Sequence, residues 1–590
     1  MGVSVSVDSP RPSGRRRRRV PLFASFNALV VAAALFLIAY PIGIMLVRSL
    51  SDSHGWRHLL SQPWFGAMVR DTGIVVVTSA LTAVGLATLL VWINERTDAG
   101  VGALGDVLPL VPLFLPTVST AIGWVMLANP DVGFLNTLIE RVLEPLGLEY
   151  TLDIYSYPGL IFVYTLIALP FAYLPILAGF RNLDPTLEDA ALVSGANPRT
   201  VFTTVSMRAI GPSLFAGLVL TLVVTLSLFS APVILATRPG YEILAVRIVY
   251  SVRGSYPPLY DQAAMLSVLL FAVLFGLWLL QRRLFASGNF AKVGNRGAGA
   301  HITSLGRWRW PARSAFLLYI LFSAVLPVFA LLLVSFQNFW SGDPFATGWS
   351  LRHYETVLGT ATGENAVRNS LFHGLVTGGI TVLVAGILMI FAHRARGWRS
   401  GITNGVAKIP AAITNTVFGV GFVIAFGGPP FNWGGTTMIL AVAYFVVFIP
   451  YAAIASEVSV SQIDASLEEA SAVSGAREGT TVRRVVIPLM LPGLLAAWAL
   501  VFVRVIGDLS LAVLLGTGRT AVIGYLLLDV FEQGTFGSVA ALSLLMTLIS
   551  VPIVLLMLWL GVPRWKRRTK RRKKRQTAPA EATPASADNR

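Results

Sequence analysis

Long apolar runs alternate with short polar segments along most of the chain. About 20 apolar residues cross the hydrocarbon core of a bilayer as a helix, and runs of roughly that length recur through the sequence. The candidate spans cover residues 23–47, 73–93, 105–127, 159–179, 213–236, 263–282, 315–336, 371–392, 407–426, 434–455, 491–515 and 542–562. The pattern predicts an all-α polytopic membrane protein with about twelve transmembrane helices. The first run is too long for a signal-peptide core, so we expect an uncleaved span there.

The chain also repeats itself. Residues 464–488 match residues 184–208 at a constant difference of 280. The residues of the first copy that are identical in the second are Asp184, Leu187, Glu188, Ala190, Val193, Ser194, Gly195, Ala196, Thr200 and Val205. Upstream, residues 71–96 match residues 369–394 at a difference of 298, because the first copy has a longer loop near residues 129–156. Each copy has an even number of spans, so we predict two parallel six-helix repeats related by a pseudo-two-fold axis along the membrane normal.

Repeat and composition together divide the chain into five parts. We expect a basic N-terminus at 1–22, a first repeat at 23–284, a linker rich in Gly, Ser, Asn and Arg at 285–313, a second repeat at 314–562 and a basic tail at 563–590.

Each repeat carries one polar, amphipathic segment, here called the first hinge segment (residues 184–208) and the second hinge segment (residues 464–488). Asp184 precedes a proline, which is the signature of a helix N-cap followed by its first residue. Gly195 suits the left-handed end of that helix. Asn197, again before a proline, repeats the N-cap signal. We therefore predict two short helices joined at a glycine in each copy.

The hinge segments resemble the EAA loop of ABC importer permeases, whose pattern is Glu-Ala-Ala, three residues, Gly, nine residues and Ile-x-Leu-Pro. The second copy matches it with Glu469-Ala470-Ser471, Gly475, Val485, Ile487 and Pro488, and the first with Asp189-Ala190-Ala191, Gly195 and Val205. The first copy departs from the pattern at Met207-Arg208, where Leu-Pro is expected.

This resemblance implies a docking function. In the family, the loop fits a groove on a separate ATPase subunit and its acidic residue pairs with a basic one there, which assigns these roles to Asp189 and Glu469. The full set of expected coupling residues is Glu188, Asp189, Ala190, Ala191, Gly195, Glu468, Glu469, Ala470 and Gly475. The alternative is an amphipathic surface hairpin with no partner.

Composition and charge agree with a membrane protein. Hydrophobic residues make up 55% of the chain and charged residues 13%, and the mean hydropathy is +0.70. Most of the net charge of +17 lies in basic runs beside apolar spans, such as residues 15–19 and 564–575. The positive-inside rule then predicts that both termini and both hinge segments are cytoplasmic. It also predicts that the basic ends contact anionic lipid, with no need for nucleic acid.

Candidate chemistry within the chain is sparse. There is no cysteine and no Gly-x-x-x-x-Gly-Lys-Ser/Thr phosphate loop, so we expect a transport subunit without enzymatic activity, with ATP and Mg²⁺ bound by partner subunits. His54 and His58 have a spacing that can hold a metal on a helix, but no third ligand accompanies them. A polar outside loop explains them better, and we expect no metal or cofactor on this chain.

Two ionisable residues lie inside a predicted span, where charge is costly and commonly faces a cavity or a partner. Arg504 and Asp508 stand four residues apart, a spacing that permits an ion pair on one helix; alternatively, they line the substrate route. Their repeat equivalents are the apolar Val224 and Leu228, so either role is asymmetric. Weaker candidates for the route are Ser230, Ser510, Ser227, Asn415 and Thr416, because such groups often only bond neighbouring helices.

The fused arrangement of two repeats resembles permeases for ferric iron, and thiamine, polyamine and phosphonate importers are also similar. Residues 228–235 with 248–250, and residues 507–515, favour iron. The resemblance implies alternating access in the bacterial cytoplasmic membrane: a solute-binding protein docks outside, and two ATPase subunits grip the hinge segments inside. An ion-coupled secondary transporter would also show many spans and a repeat, but it would not need two acidic hinge segments. A scaffold component without transport is a third alternative.

Overall fold

The computed structural model describes residues 22–285, 302–343, 348–395 and 397–561. Within these ranges the chain is helical, with two isolated β-bridges that join Thr97 to Thr303 and Gln337 to Trp349. The all-α fold class is confirmed for this part of the chain. The arginine-rich N-terminus, most of the predicted linker and the basic tail lie outside the described residues.

Nine helices of the described ranges are long and apolar enough to cross a membrane, and three bent pairs raise the number to twelve if each pair is one crossing. The first half contributes Ser25–Ser51, Pro63–Arg96, Ala103–Phe114 with Thr117–Ala128, Tyr157–Asn182, Pro198–Ala209 with Gly211–Ser227, and Tyr260–Arg283. The second half contributes Gly306–Phe336, Ala361–Arg394, Trp398–Ala412 with Asn415–Phe426, Thr437–Ser461, Gly479–Ile506 and Phe536–Met557. Each half thus supplies six crossings, in agreement with the repeat.

Two of the predicted spans are sharply bent. The span expected at 105–127 turns by 89° before Thr117, and the span expected at 407–426 turns by 101° before Asn415. Prolines at 109, 112 and 116 accompany the first break, and proline removes a backbone donor that a continuous helix needs. Hydropathy reports how apolar a stretch is, and it does not report whether the helix continues through it.

Two other predicted spans end early, so the prediction of continuous helices at 213–236 and 491–515 is wrong. The helices stop at Ser227 and Ile506, and the short helices Ser230–Leu235 and Ser510–Leu515 follow. Both short helices are fully buried. They are repeat equivalents, so the interruption belongs to the architecture of each half.

The two halves exchange their first helices. Leu22–Ser51 packs on Asn415–Phe426 of the second half, and Leu326–Phe336 packs on Thr117–Ala128 of the first half. A glycine permits each crossing, because a Cβ on Gly421 would lie 3.3 Å from Pro41 and a Cβ on Gly123 only 2.5 Å from the Pro327 carbonyl. These two glycines are equivalent at the 298 difference. The exchange binds the repeats into one body around a shared centre.

The described end of the linker is also attached to the first half. The Thr303 N–H donates to the Arg96 carbonyl at 2.9 Å, and the Asp98 carboxylate accepts from the Leu305 N–H at 3.0 Å. Helix Gly306–Trp308 starts directly after this contact. The chain therefore enters the second half from the cytoplasmic end predicted for helix Pro63–Arg96.

Candidate functional site

The hinge segments have the local structure that their sequences predict. Helices Pro185–Val193 and Ala465–Val473 are capped by Asp184 and Asp464, whose carboxylates accept backbone N–H groups of Thr186 and Ser466. These hydrogen bonds lower the pKa of Asp464. Each helix is followed by its glycine in the left-handed region, at φ 89° for Gly195 and 77° for Gly475.

The first hinge segment is fixed to a transmembrane helix by a buried ion pair. The Arg96 Nε donates to Glu188 Oε2 at 2.8 Å, and both side chains are 6% exposed. The Ser206 hydroxyl donates to the other carboxylate oxygen at 2.6 Å, and Arg96 Nη2 donates to the Phe180 carbonyl at 3.0 Å. Every carboxylate oxygen of Glu188 therefore has a partner, as a buried charge requires.

An equivalent ion pair, more exposed to solvent, joins the second hinge segment to a membrane helix. The Arg394 Nη2 donates to Glu468 Oε2 at 2.8 Å, with the two side chains 19% and 32% exposed. Arg394 is the repeat equivalent of Arg96, and Val486 stands where the first half has Ser206. Glu188 and Glu468 were expected on a docking surface, and the motif pattern did not single out the two arginines. The signal that could have found them is their equivalence at the 298 difference.

Each hinge segment also has an outer face, on which the described acidic residues Asp189 and Glu469 form no ion pair. Asp189 and Glu469 are exposed, and Val193 and Val473 are 89% and 90% exposed. Leu187 and its equivalent Leu467 are also exposed large apolar residues. An acidic group beside two exposed apolar side chains therefore recurs on both segments. Of the other predicted coupling residues, Ala190 and Ala470 are exposed and Ala191 is half-buried.

The chain follows a different path after each of the two hinge segments. Both contain a π-helical turn, Val201–Ser206 in the first and Val482–Val486 in the second. The first then bends by 68° at Gly211, whereas the second continues without a sharp bend in the membrane helix Gly479–Ile506. The departure from the family pattern at Met207-Arg208 precedes this bend.

A cavity of about 320 Å³ lies between the two halves, far from the hinge segments. Its wall includes Ile167 and Phe171, which lie midway along helix Tyr157–Asn182. The breaks described above also line it, at Ser227 to Ser230 in the first half and at Gly507, Asp508 and Ser510 in the second. Interrupted helices thus bring the predicted route residues Ser230, Ser510, Ser227, Asn415, Arg504 and Asp508 to one place. Thr416 is fully buried and is not part of the wall.

The predicted ion pair between Arg504 and Asp508 is wrong. Asp508 accepts instead from the Asn415 side-chain amide at 2.6 Å and from the Leu511 N–H at 2.8 Å. The Arg504 guanidinium carbon lies 5.9 Å from the ring centre of Phe171 and 5.5 Å from that of Tyr451. The helix ends at Ile506, so the i, i+4 geometry that the sequence suggested does not extend to Asp508.

A second cavity, of about 600 Å³, lies at the end of the molecule opposite the hinge segments. Its wall includes Tyr155, just before helix Tyr157–Asn182, whereas the first hinge segment follows that helix. Arg238 of this wall forms an ion pair with Asp131 at 2.8 Å. Helix Ser230–Leu235 separates the two cavities, because Ser230 lines the central one and Val233 lines the outer one.

The two histidines considered as metal ligands lie on a short helix, Ser53–Leu60, so the prediction of a loop there is wrong. Asp52 caps it through the Gly55 N–H, which overcomes the weak helix propensity of glycine. His58 contacts the Gln62 side-chain amide at 2.9 Å. Across the described ranges, no group of three or more His, Asp or Glu residues could hold a metal ion.

Known transport proteins are similar to parts of this chain or to most of it. Ferric transport system permease protein FbpB of Actinobacillus pleuropneumoniae is 21% identical over 90% of this chain and 77% of that protein. Putative 2-aminoethylphosphonate transport system permease protein PhnV of Salmonella choleraesuis is 25% identical over 42% of this chain and 93% of its own length. A crystal structure of a bacterial ABC transporter involved in alginate import has a TM-score of 0.35 and 17% identity, and it covers 43% of this chain and 98% of its own.

The family described as binding-protein-dependent transport system inner membrane component matches residues 81–284 and, again, residues 382–562. The two matches fall in the two repeats and together cover more than half of the chain. The protein therefore belongs to the family of binding-protein-dependent transport system inner membrane components.

Proposed function

We propose that this ABC importer permease is driven by two ATPase subunits that grip its hinge segments from the cytoplasm. The observation that carries the proposal is the repeated outer face: Asp189 with Val193, and Glu469 with Val473, are exposed side by side with equivalent geometry. Exposed apolar side chains that cluster beside polar groups mark interaction sites. Two matching faces suit two copies of one partner. ATP and Mg²⁺ belong to that partner.

The ion pairs between the hinge segments and the membrane helices support transmission of force from one to the other. Glu188 ties the first hinge segment to Arg96 at the end of helix Pro63–Arg96, and Glu468 ties the second to Arg394 at the end of helix Ala361–Arg394. A displacement of the hinge segment must then move the attached membrane helix. Both membrane helices pack along the helices that line the central cavity, so closure of the ATPase pair changes access to that cavity.

The end of the molecule opposite the hinge segments has a cavity that could receive solute from a binding protein. The outer cavity has walls from both halves, including Arg238 and Glu532. We propose that an extracytoplasmic solute-binding protein docks there and releases its solute towards the central cavity past helix Ser230–Leu235. The termini and hinge segments are then cytoplasmic in the bacterial inner membrane, as the basic flanks predict.

Ferric iron is the proposed solute. The supporting observation is the similarity to a ferric permease along 90% of this chain. Phosphonate import by the same mechanism is the second candidate, because the relative that matches 42% of this chain bears the name of a putative 2-aminoethylphosphonate transport system permease protein. Import of polyamine or thiamine rests on the weaker resemblance of the fused repeat alone.

Charge reversal on the outer faces tests the coupling. We expect Asp189→Arg and Glu469→Arg each to weaken co-purification with the cognate ATPase at least tenfold, about 1.4 kcal/mol, and the double variant to abolish ATP-driven uptake of radioactive iron in proteoliposomes with the binding protein. Glu149→Arg, an exposed reversal in the loop predicted outside, is the matched control and should bind ATPase normally.

The same experiment separates the rival functions. An ion-coupled carrier would transport without ATPase and would be indifferent to the double reversal. A scaffold would bind ATPase without any uptake. Normal ATPase binding by the double variant would refute the proposed coupling role.

A further inference from the structure

Among the described residues that line the central cavity, Arg504 is the one cation, and it lies between the two halves. Phe171 and Tyr451 are repeat equivalents at the 280 difference, and the Arg504 guanidinium lies within 6 Å of both ring centres. It therefore sits close to the pseudo-two-fold axis. A second arginine at the equivalent Val224, which also lines the cavity, would meet the first at that axis. Two such cations would repel each other, and the sequence has an arginine in the second half and a valine at the equivalent position of the first.

The hydrogen-bonding capacity of this arginine is not used up by the protein. Its Nε is buried and has no hydrogen-bond partner among the described residues. Aromatic faces attract a guanidinium, but they do not accept its in-plane N–H donors. A buried donor without a partner costs about 1–3 kcal/mol. Arg504 also lines the cavity, so a ligand oxygen there can bond the part of the guanidinium that faces it.

The acidic residue of the same wall is already engaged. Both carboxylate oxygens of Asp508 accept hydrogen bonds from the protein, one from Asn415 and one from the backbone of Leu511. Asp508 is only 7% exposed. These bonds join the break before helix Asn415–Phe426 to the break before helix Ser510–Leu515. The acid thus serves to connect two broken helices, while the cation faces the space.

We propose that the central cavity binds an anion, through an oxyanion or carboxylate group held by Arg504 between Phe171 and Tyr451. The guanidinium fork matches the two oxygens of such groups. This inference rests on the proposed transport function and narrows its solute: ferric iron crosses only as a complex whose net charge is negative, with ligand oxygens turned to Arg504. A phosphonate or a carboxylate satisfies the same chemistry directly.

Hydroxyl groups complete the pocket on both sides of the cation. Thr117 donates to Ser230 at 3.2 Å in the first half, and Ser510 lines the wall at the equivalent position in the second. These groups are neutral donors and acceptors, so they add hydrogen bonds to an anion without opposing its charge. Apart from Tyr451, Arg504 and Asp508 are the ionisable members of the wall.

Equilibrium binding to the purified full-length permease in lipid nanodiscs tests the proposal. Methylphosphonate is the probe and methylammonium, of similar size and opposite charge, is its control; titration calorimetry at low ionic strength is the measurement. We expect methylphosphonate to bind and methylammonium not to bind. Arg504→Gln should weaken methylphosphonate binding at least tenfold, and Arg504→Lys should retain most of it.

The pseudo-symmetry of the two halves allows a variant that should restore anion binding. The double variant Val224→Arg with Arg504→Val moves the guanidinium to the equivalent side of the axis, and we expect it to recover binding relative to Arg504→Gln. An unaltered affinity in Arg504→Gln, preferential binding of methylammonium, or no methylphosphonate binding by the wild type would each overturn the proposal. Co-purification with the ATPase, measured on the same variants, should be unchanged, so failure of the anion site is distinguishable from failure of coupling.

Discussion

The two hinge segments share an outer face and differ in how they are anchored inside. In the first, Glu188 is sealed between Arg96 and Ser206 in a site that is almost completely buried. In the second, Glu468 meets Arg394 in a site that remains partly open, and Val486 replaces the serine. One duplication has thus kept the surface that a partner would contact and has varied the interior.

The interiors differ consistently around these ion pairs. Trp92 and Phe202 pack ring to ring at 5.2 Å behind the first segment, whereas their equivalents Ile390 and Val482 form an aliphatic contact behind the second. The second segment compensates with a hydroxyl pair between Ser471 and Thr481 at 2.8 Å. The aromatic pair is larger than the aliphatic pair, so the two interiors are packed differently, whereas the exposed acidic residue and valine recur on both segments. Under the proposed coupling, the shared outer face suits two copies of one ATPase subunit.

The two segments should differ most in the stability that is lost when Arg96 or Arg394 is replaced. Arg96→Ala leaves Glu188 buried and unpaired, which costs about 3–5 kcal/mol, so we expect a strong loss of folded protein in thermal unfolding in detergent. Arg394→Ala leaves Glu468 accessible to water and should cost about 1 kcal/mol or less. Equal losses for the two variants would contradict the contrast between a sealed and an open site. The double variant Arg96→Ala with Glu188→Gln should recover part of the loss.

A smaller effect should follow from making the first site resemble the second. Ser206→Val removes the hydroxyl that donates to Glu188 at 2.6 Å, and a hydrogen bond to a charged group contributes about 1.5–3 kcal/mol. We expect a lower unfolding temperature and faster hydrogen exchange in helix Pro185–Val193. Ser206→Thr, which keeps the hydroxyl, is the control. An unchanged exchange rate in Ser206→Val would show that Arg96 alone holds the segment.

The smallest expected effect is the loss of stability on replacing the glycine that ends each hinge helix, and it should be equal in the two segments. Gly195→Ala and Gly475→Ala introduce a Cβ into left-handed backbone, which costs about 1–2 kcal/mol, and no neighbouring atom lies within 4 Å of either Cβ. We expect equal, modest losses of stability and a clearer loss of ATP-driven uptake, because the outer face changes direction at the glycine. Asn, which tolerates this conformation, should restore part of the uptake. Unequal stability losses would indicate that the two turns are not equivalent.

Much of the fold could be read from local pattern. The caps at Asp184 and Asp464 and the glycines that end both helices follow from residue types at fixed spacing, because the interactions involved close within three or four residues. The repeat predicted six crossings in each half for a similar reason, since the apolar length needed to cross a bilayer is fixed. The functional family followed from the same repeated segment.

The central site could be predicted only in part. Arg504 and Asp508 were recognisable as costly charges in an apolar run, but their spacing suggested a pair that does not form. The helix ends between them, and Asp508 turns to an amide 93 residues away in sequence. Hydropathy contains no information about such breaks, which buried backbone can tolerate where it lines a cavity.

Local patterns were enough to identify a duplicated, all-helical membrane protein with one glycine hinge per half, because spans, caps and repeats are local properties. Tertiary structure alone decided that Glu188 and Glu468 turn inward while Asp189 and Glu469 turn outward, and that a single arginine stands between two equivalent rings. The physical reason is that burial and charge compensation depend on which distant helices meet. Arg96 meets Glu188 only when distant helices of the first half pack, and Arg504 meets Phe171 only when the two halves pack together.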